Sequence, residues 1–386
     1  MLIRQTMLDD VSAAQLGKLT ALAEIDPDLL LVFGSIKLMT QASLQEHLEQ
    51  RFPTTQRLGC STAGEVFTTG VGQGSVVLTA ISFAHPRFRV ATAELAGMAS
   101  SREAGEQLAA RLAEPDLKAV WVLGQGLNIN GSALVAGITS RLDKQVPVCG
   151  GLAGDDGAFK ETVTLCNEGL SATRLVAIGF YGDGLIHGHG SFGGWQAFGP
   201  ERKVTRCTGN ILHELDGEAA LTVYKRYLGD YAKDLPASGL LFPFEMVASP
   251  GERSGLIRTI LGIDEQSGSL ILAGEINPDG YLRLMHAQSD KLVDGADEAA
   301  RRTLTTFTPH PGQGLALLVS CVGRRLVMGG RVDEEVEAVA EVLGDNVTLA
   351  GFYSYGEISP AAGTMACQLH NQTMTIAYLA EVANGE

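Results

Sequence analysis

Short apolar runs and amphipathic stretches follow one another along this chain in an order that recurs. Leu29-Leu-Leu-Val-Phe33 is apolar throughout, the pattern of a buried strand, and Gly34-Ser35 breaks it. Leu44, Leu48 and Phe52 are spaced by four, which predicts a helix over 41–51. A second strand then runs into Gly59-Cys-Ser-Thr-Ala-Gly-Glu65, and a third follows at Ser75–Ile81. The order returns at Lys118–Leu123, with a helix over 132–142, then Val146-Pro-Val148 leading to Gly150-Gly-Leu-Ala-Gly-Asp-Asp156, and Thr162–Cys166 closing the copy. It returns again at Leu315–Val319, with a helix over 334–343, then Val347–Leu349 leading to Gly351-Phe-Tyr-Ser-Tyr-Gly-Glu357, and a closing strand over 368–377. A weaker echo is Ala273-Gly274-Glu275, which lacks the preceding helix.

Strands apolar on both faces suit a sheet covered on both sides, and separated copies suit duplicated domains better than a solenoid. The expected fold is α/β: two related domains built from repeated strand–helix–strand units, with sheets flanked by helices. Residues 185–216 are rich in glycine and lose periodicity; within them Val204–Cys207 reads as a strand, and an extended crossover is expected between it and the next helix. Asp216–Tyr227 then reads as a helix capped by Asp216 or a neighbour. The domains are accordingly placed at 1–215 and 216–386.

Composition narrows the class. The chain has 386 residues and a formal net charge of −15, with 45% hydrophobic and 19% charged residues. So acidic a surface disfavours nucleic acid and anionic membranes and favours a basic partner. The N-terminus lacks a signal peptide's apolar core, and no run nears the roughly 20 residues of a membrane span, so a cytoplasmic protein is expected. The six cysteines form no C-x-x-C pair and read as buried thiols.

Candidate chemistry is sparse. Glu65, Asp155 and Glu357 each follow a glycine after a strand; they either line a crevice or accept backbone hydrogen bonds in tight turns. Gly124-Gln-Gly126 and the residues up to Gly131 open a helix but lack the dinucleotide spacing, so a tight turn is expected. His187 and His189 would share one face of a strand, where they could ligate one metal or be solvated. His370, Gln372 and Met374 would likewise share a face. Catalytic signatures such as G-x-S-x-G and Walker A do not occur, and no partner is marked out for Cys60, Cys149 or Cys321, so a non-enzyme is expected.

Several stretches are familiar as a set. Gly59–Val66, Val204–Asn210 and Glu214–Gly217 resemble the N-terminal half of the FIST sensory family; Leu318–Arg324, Gly351–Ile358 and His370–Thr375 resemble its C-terminal half. Gly193–Gly199, Tyr224–Gly229 and Leu235–Pro243 resemble more narrowly its nitric-oxide-sensing haemoproteins, the NosP group. The resemblance implies a signal-transduction sensor that binds haem b and detects nitric oxide. It implies output through a histidine kinase or a diguanylate cyclase or phosphodiesterase, in two-component or cyclic-di-GMP (biofilm) signalling, with a homodimer possible. Candidate haem residues are His370, as metal ligand, with His187, His189 and His286. The alternative is a haem-free module for an amino acid, in which Glu357 and Arg324 clamp a zwitterion, with Ser354, Tyr355, Asn371 and Glu65 nearby.

Overall fold

The structure is a computed structural model that describes residues 1–252, 255–308, 312–361 and 363–382. It is a mixed α/β fold whose sheets are flanked by helices, as the pattern predicts. The repeat is threefold, one unit for each of the three copies read in the sequence. The first unit holds β1 (Leu2–Leu8), α1 (Ala13–Gly17), α2 (Leu19–Ala23), β2 (Leu29–Gly34), α3 (Ile36–Met39), α4 (Ala42–Arg51), β3 (Gln56–Ser61), β4 (Glu65–Phe67), β5 (Gly70–Gly72) and β6 (Val76–Ser82). The second holds β7 (Phe88–Glu94), α5 (Ser101–Leu112), β8 (Leu117–Gly124), α6 (Gly131–Thr139), β9 (Val148–Leu152), β10 (Thr164–Cys166), β11 (Gly169–Ser171) and β12 (Arg174–Tyr181).

The third unit starts with β13 (Leu185–Phe192) and is interrupted by an insertion: β14 (Gln196–Thr208), β15 (Ile211–Leu215), β16 (Glu218–Ala219), α7 (Ala220–Leu228), β17 (Phe244–Val247), β18 (Ile257–Arg258), β19 (Ile260–Asp264), β20 (Ser269–Leu272) and β21 (Tyr281–His286). It resumes with α8 (Ser289–Leu304), β22 (Gly314–Cys321), α9 (Val322–Met328), α10 (Val332–Leu343), β23 (Val347–Ser354), β24 (Gly356–Pro360), β25 (Cys367–His370) and β26 (Met374–Glu381).

Each unit lends its hairpin to another. The three six-stranded sheets run β1-β6-β2-β3-β10-β11, β25-β24-β9-β8-β12-β7 and β13-β26-β22-β23-β4-β5. Hairpin β4–β5 thus extends the third sheet, β24–β25 the second and β10–β11 the first, closing a ring. Inner faces of all three sheets meet in one core that includes Phe33, Trp121 and Phe352, while helices cover the outer faces. Parallel pairs Val32↔Gly59, Val122↔Gly150 and Leu318↔Gly351 put the units in register. At each of these three glycines a Cβ would lie 1.8–2.0 Å from the carbonyl oxygen of its partner, so no side chain fits.

Four readings are corrected by this topology. Thr162–Cys166 does not close the second copy: β10 is half of the lent hairpin, and β12 is the closing strand. The residue in register with Glu65 and Glu357 is the exposed Asp156, one position past Asp155, because all three lie six residues after their paired glycine. The Gly-rich residues 185–192 and 196–208 are strands, the latter including the strand read at Val204–Cys207, and the expected crossover after it is instead the turn of the β14–β15 hairpin. The glycines of His187-Gly-His-Gly190 face α8 and its following turn, where a Cβ at Gly188 would meet the Phe307 ring and one at Gly190 the Ala299 carbonyl; the histidines take the other face. Finally, α7 starts at Ala220 with no side-chain cap, and Asp216 instead binds Lys203 N and Arg202. The echo at Ala273–Glu275 follows β20 of the insertion and has no counterpart in the three units.

Candidate functional site

Register carries the comparison of units out to the edge strands. His187 opposes Leu379, which opposes Leu315; the corresponding rows end in Ile3 on β1 and Phe88 on β7. His189 likewise corresponds to Gln5 and Val90. The third unit therefore has two imidazoles where the others have apolar side chains or an amide.

Those imidazoles line a cleft of about 970 Å³, near the top of the roughly 300–1,000 Å³ usual for ligand sites. Its walls are β13, the β24–β25 turn (Pro360, Ala361, Met365), the approach to β9 (Gln145, Pro147) and the end of α8. The two rings are stacked with centroids 6.2 Å apart. His187 Nε2 is buried and has no hydrogen-bond partner. Burial, and to a lesser degree the neighbouring His189, pushes the His187 pKa down to about 3, so the ring is neutral at pH 7. Burial also lowers His189. Lys118 and Arg302 bring positive charge to the rim, paired at present with Asp183 (2.5 Å) and Glu298 (2.7 Å).

The counterpart clefts are filled differently. In the first unit Gln5 Nε2 donates to Leu349 O (2.8 Å) and Gln5 Oε1 accepts from Thr68 N (3.0 Å), leaving an outer groove of about 580 Å³. In the second, Asn167 of the lent hairpin accepts from Arg57 N (2.6 Å) and donates to Thr55 O (3.0 Å), sewing the turn onto β3.

Two family models match the chain, a FIST N domain over residues 28–218 and a FIST C domain over 220–360. The chain belongs to the FIST family. FIST domains suggest a sensory signalling module. An uncharacterized protein of Mycobacterium bovis and one of Mycobacterium tuberculosis are each 28% identical to this FIST chain over 258 residues, 65% of its length; the match spans 61% of theirs. Two solved cyanuric acid hydrolases, one from A. caulinodans, align over 99% and 98% of the FIST chain and 99% of their own, at 10% and 11% identity with TM-scores of 0.35 and 0.34. Both are enzymes, so the expectation of a non-enzyme is withdrawn; likeness at this level assigns no activity.

Within the FIST chain the other candidates lie apart from the cleft lining. His370 is buried, its Nε2 stands 3.0 Å from Ser359 O, and burial lowers its pKa to about 4. That nitrogen is committed to a carbonyl inside a sealed strand pair, which argues against His370 as an iron ligand. His286, on β21 of the insertion, meets the edge of Phe198 at 5.6 Å. Arg324 is fully buried and held by Glu335 (2.7 Å), Leu292 O (2.8 Å) and Gly193 O; the same carboxylate takes Ser320 and Tyr353 hydroxyls. A zwitterion clamp using Arg324 would first have to break that pair.

Glu65 and Glu357 are turn anchors with one design. Glu65 accepts from Thr62 Oγ1 (2.5 Å) and from Ser75 N and Oγ; Glu357 accepts from Ser354 Oγ (2.8 Å) and from Thr373 N and Oγ1. Each ties its turn to the start of the closing strand. Burial raises both carboxyls to about 7 against the pull of these donors. Asp155 accepts from Phe159, Lys160 and Glu161 N–H groups and from Tyr355 OH, the turn-holding role of the two alternatives. Asn371 Oδ1 is buried without a partner. Among the described residues no cluster of three or more His, Cys, Asp or Glu could hold a metal ion, and no helix is long and apolar enough to cross a membrane. Sequence reading singled out His187 and His189 but missed the cleft opposite them, since its far walls come from distant residues such as Lys118, Pro147, Arg302, Pro360 and Met365.

Proposed function

We propose that this FIST protein is a sensor that takes haem b in the third-unit cleft, where His187 would hold it, and responds to nitric oxide. The observation that carries the reading is the uncommitted His187 Nε2, buried at the wall of the 970 Å³ cleft. A b-type haem needs an apolar slot and one axial donor, and the ligating form of histidine is the neutral one. Leu185, Pro147, Pro360 and Met365 supply apolar wall. Lys118 and Arg302 suit two carboxylates at the rim, exchanging their present partners for those of the ligand. His187 and His189 lie on one face of β13, where the His189 ring stacks beside the one that would hold the group. When bound, haem iron supplies the open coordination position at which nitric oxide is captured.

Output then passes to a partner, a histidine kinase or a cyclic-di-GMP enzyme, if the ligand binds two conformations with different affinity. The acidic chain suits a basic docking surface. The test is an absorption spectrum of protein purified with added haem, before and after nitric oxide. A Soret band that shifts with nitric oxide and is lost in His187→Ala supports the reading. A wild-type chain without a Soret band, or an unchanged band in the His187→Ala/His189→Ala double variant, removes it.

A further inference from the structure

The hairpin β24–β25 touches both the cleft and the insertion. Its turn, through Pro360, Ala361 and Met365, walls the cleft. Its other end leads into His370–Thr373, where the insertion and its entry strand are fastened. Arg258 Nη1 donates to Leu369 O (3.2 Å), Gln372 Nε2 to Leu240 O (3.0 Å), and Trp195 Nε1 to Gln372 O (2.8 Å). Because β25 is the edge of its sheet, only β24 holds it on the sheet side.

This fastening is strained and incompletely satisfied. Gln372 is a non-glycine residue at φ 64°, a left-handed conformation that costs about 1 kcal/mol or more. Polar atoms on both sides of the seam are buried without partners: Asn371 Oδ1 and Gln372 Oε1 on the body, Thr259 Oγ1 on the insertion. Buried orphans and a strained backbone together mark an arrangement that a second packing could relieve.

We infer that β24–β25 is a lever: occupancy of the His187 cleft moves its turn, and the Leu369–Gln372 end transmits that movement to the insertion, residues 196–286. The inference adds a route of regulation to the haem site of the previous section and takes its ligand from that reading. Gln372 and Trp195 are positioning residues in it; they are absent from the cleft lining. The apolar side chains exposed on the insertion, Phe198, Tyr231, Leu261 and Ile271, lie on the part that would move.

Hydrogen exchange on the full chain tests this in two stages. Without haem, Gln372→Ala and Trp195→Phe should each speed exchange about fivefold to tenfold, the scale of one buried hydrogen bond. The gain should appear in residues 237–247 and also in 363–369 at the cleft, while β1–β6 stays unchanged and certifies folding. A gain confined to the insertion, with 363–369 unaffected in both variants, overturns the lever. Haem b is then added and the Soret band recorded on the same samples. Haem should protect both segments in the wild type but only 363–369 in Gln372→Ala. A Soret band without protection of 237–247 overturns the lever and leaves the haem site standing. A missing Soret band overturns the haem site, and the haem-free comparison still decides the lever.

Discussion

The first and third units share one backbone plan and differ in what stands at a single row of it. On β1 the row carries Ile3 and Gln5; on β13 it carries His187 and His189. Gln5 spends its amide on Leu349 and Thr68, so its side chain closes the space it faces. His187 Nε2 has no such partner, and the space beside it is the larger by several hundred Å³. The lesson is that a repeated scaffold acquires a site by leaving a position unsatisfied in one copy, since a buried polar atom without a partner costs about 1–3 kcal/mol unless something supplies one.

The most direct test of the comparison exchanges that row. His187→Ile, which installs the first unit's residue, should weaken haem retention by about a hundredfold or more, read from the Soret band on titration. Retention within threefold of wild type would dissolve the contrast between units. Second comes the buried Arg324–Glu335 pair of the third unit. Arg324→Met strands Glu335 and should cost about 3–5 kcal/mol in chemical denaturation. Next, Gln5→Ala opens the first unit's cleft and should cost about 1–2 kcal/mol while haem affinity stays constant, because the cleft it opens has no imidazole.

In pH the two units should agree. Glu65 and Glu357 have carboxyls raised from 4.5 to about 7 by burial. Between those values the folded state holds protons that the unfolded state has released. Their contribution is therefore full below about pH 4.5 and is lost as pH rises through 7. His187 and His370 act oppositely: lowered to about 3 and 4, they contribute fully above about pH 6.5 and lose it as pH falls through those values. Glu65→Gln and Glu357→Gln should each flatten the decline of stability between pH 5 and 8 by a similar amount, measured as the denaturation midpoint against pH. A change in only one variant would separate two turns that the hydrogen bonds make alike.

The α/β class, the apolar strands and the recurring glycine–acid turn were legible in the chain, because periodicity and glycine placement are local properties. Leu29–Phe33 and Leu315–Val319 are strands where the pattern puts them. The histidine–glycine alternation at 187–190 was legible too, but as loss of pattern; its glycines look like loop residues until α8 is seen packed on them. Glu65 and Glu357 stood out by sequence, yet whether they met a ligand or a backbone was open until Ser75 and Thr373 were found against them.

By itself, then, the sequence determined the main apolar strands and amphipathic helices of the three units and that the plan recurs, while sheet register decided which residues His187 and His189 replace. Tertiary structure decided the ring of lent hairpins, the register that makes Asp156 rather than Asp155 the third equivalent acid, and the cleft itself. The reason is range: secondary structure answers to neighbours a few residues away, whereas the cleft's walls at 118, 187, 302 and 365 meet only once three sheets have closed on a common core.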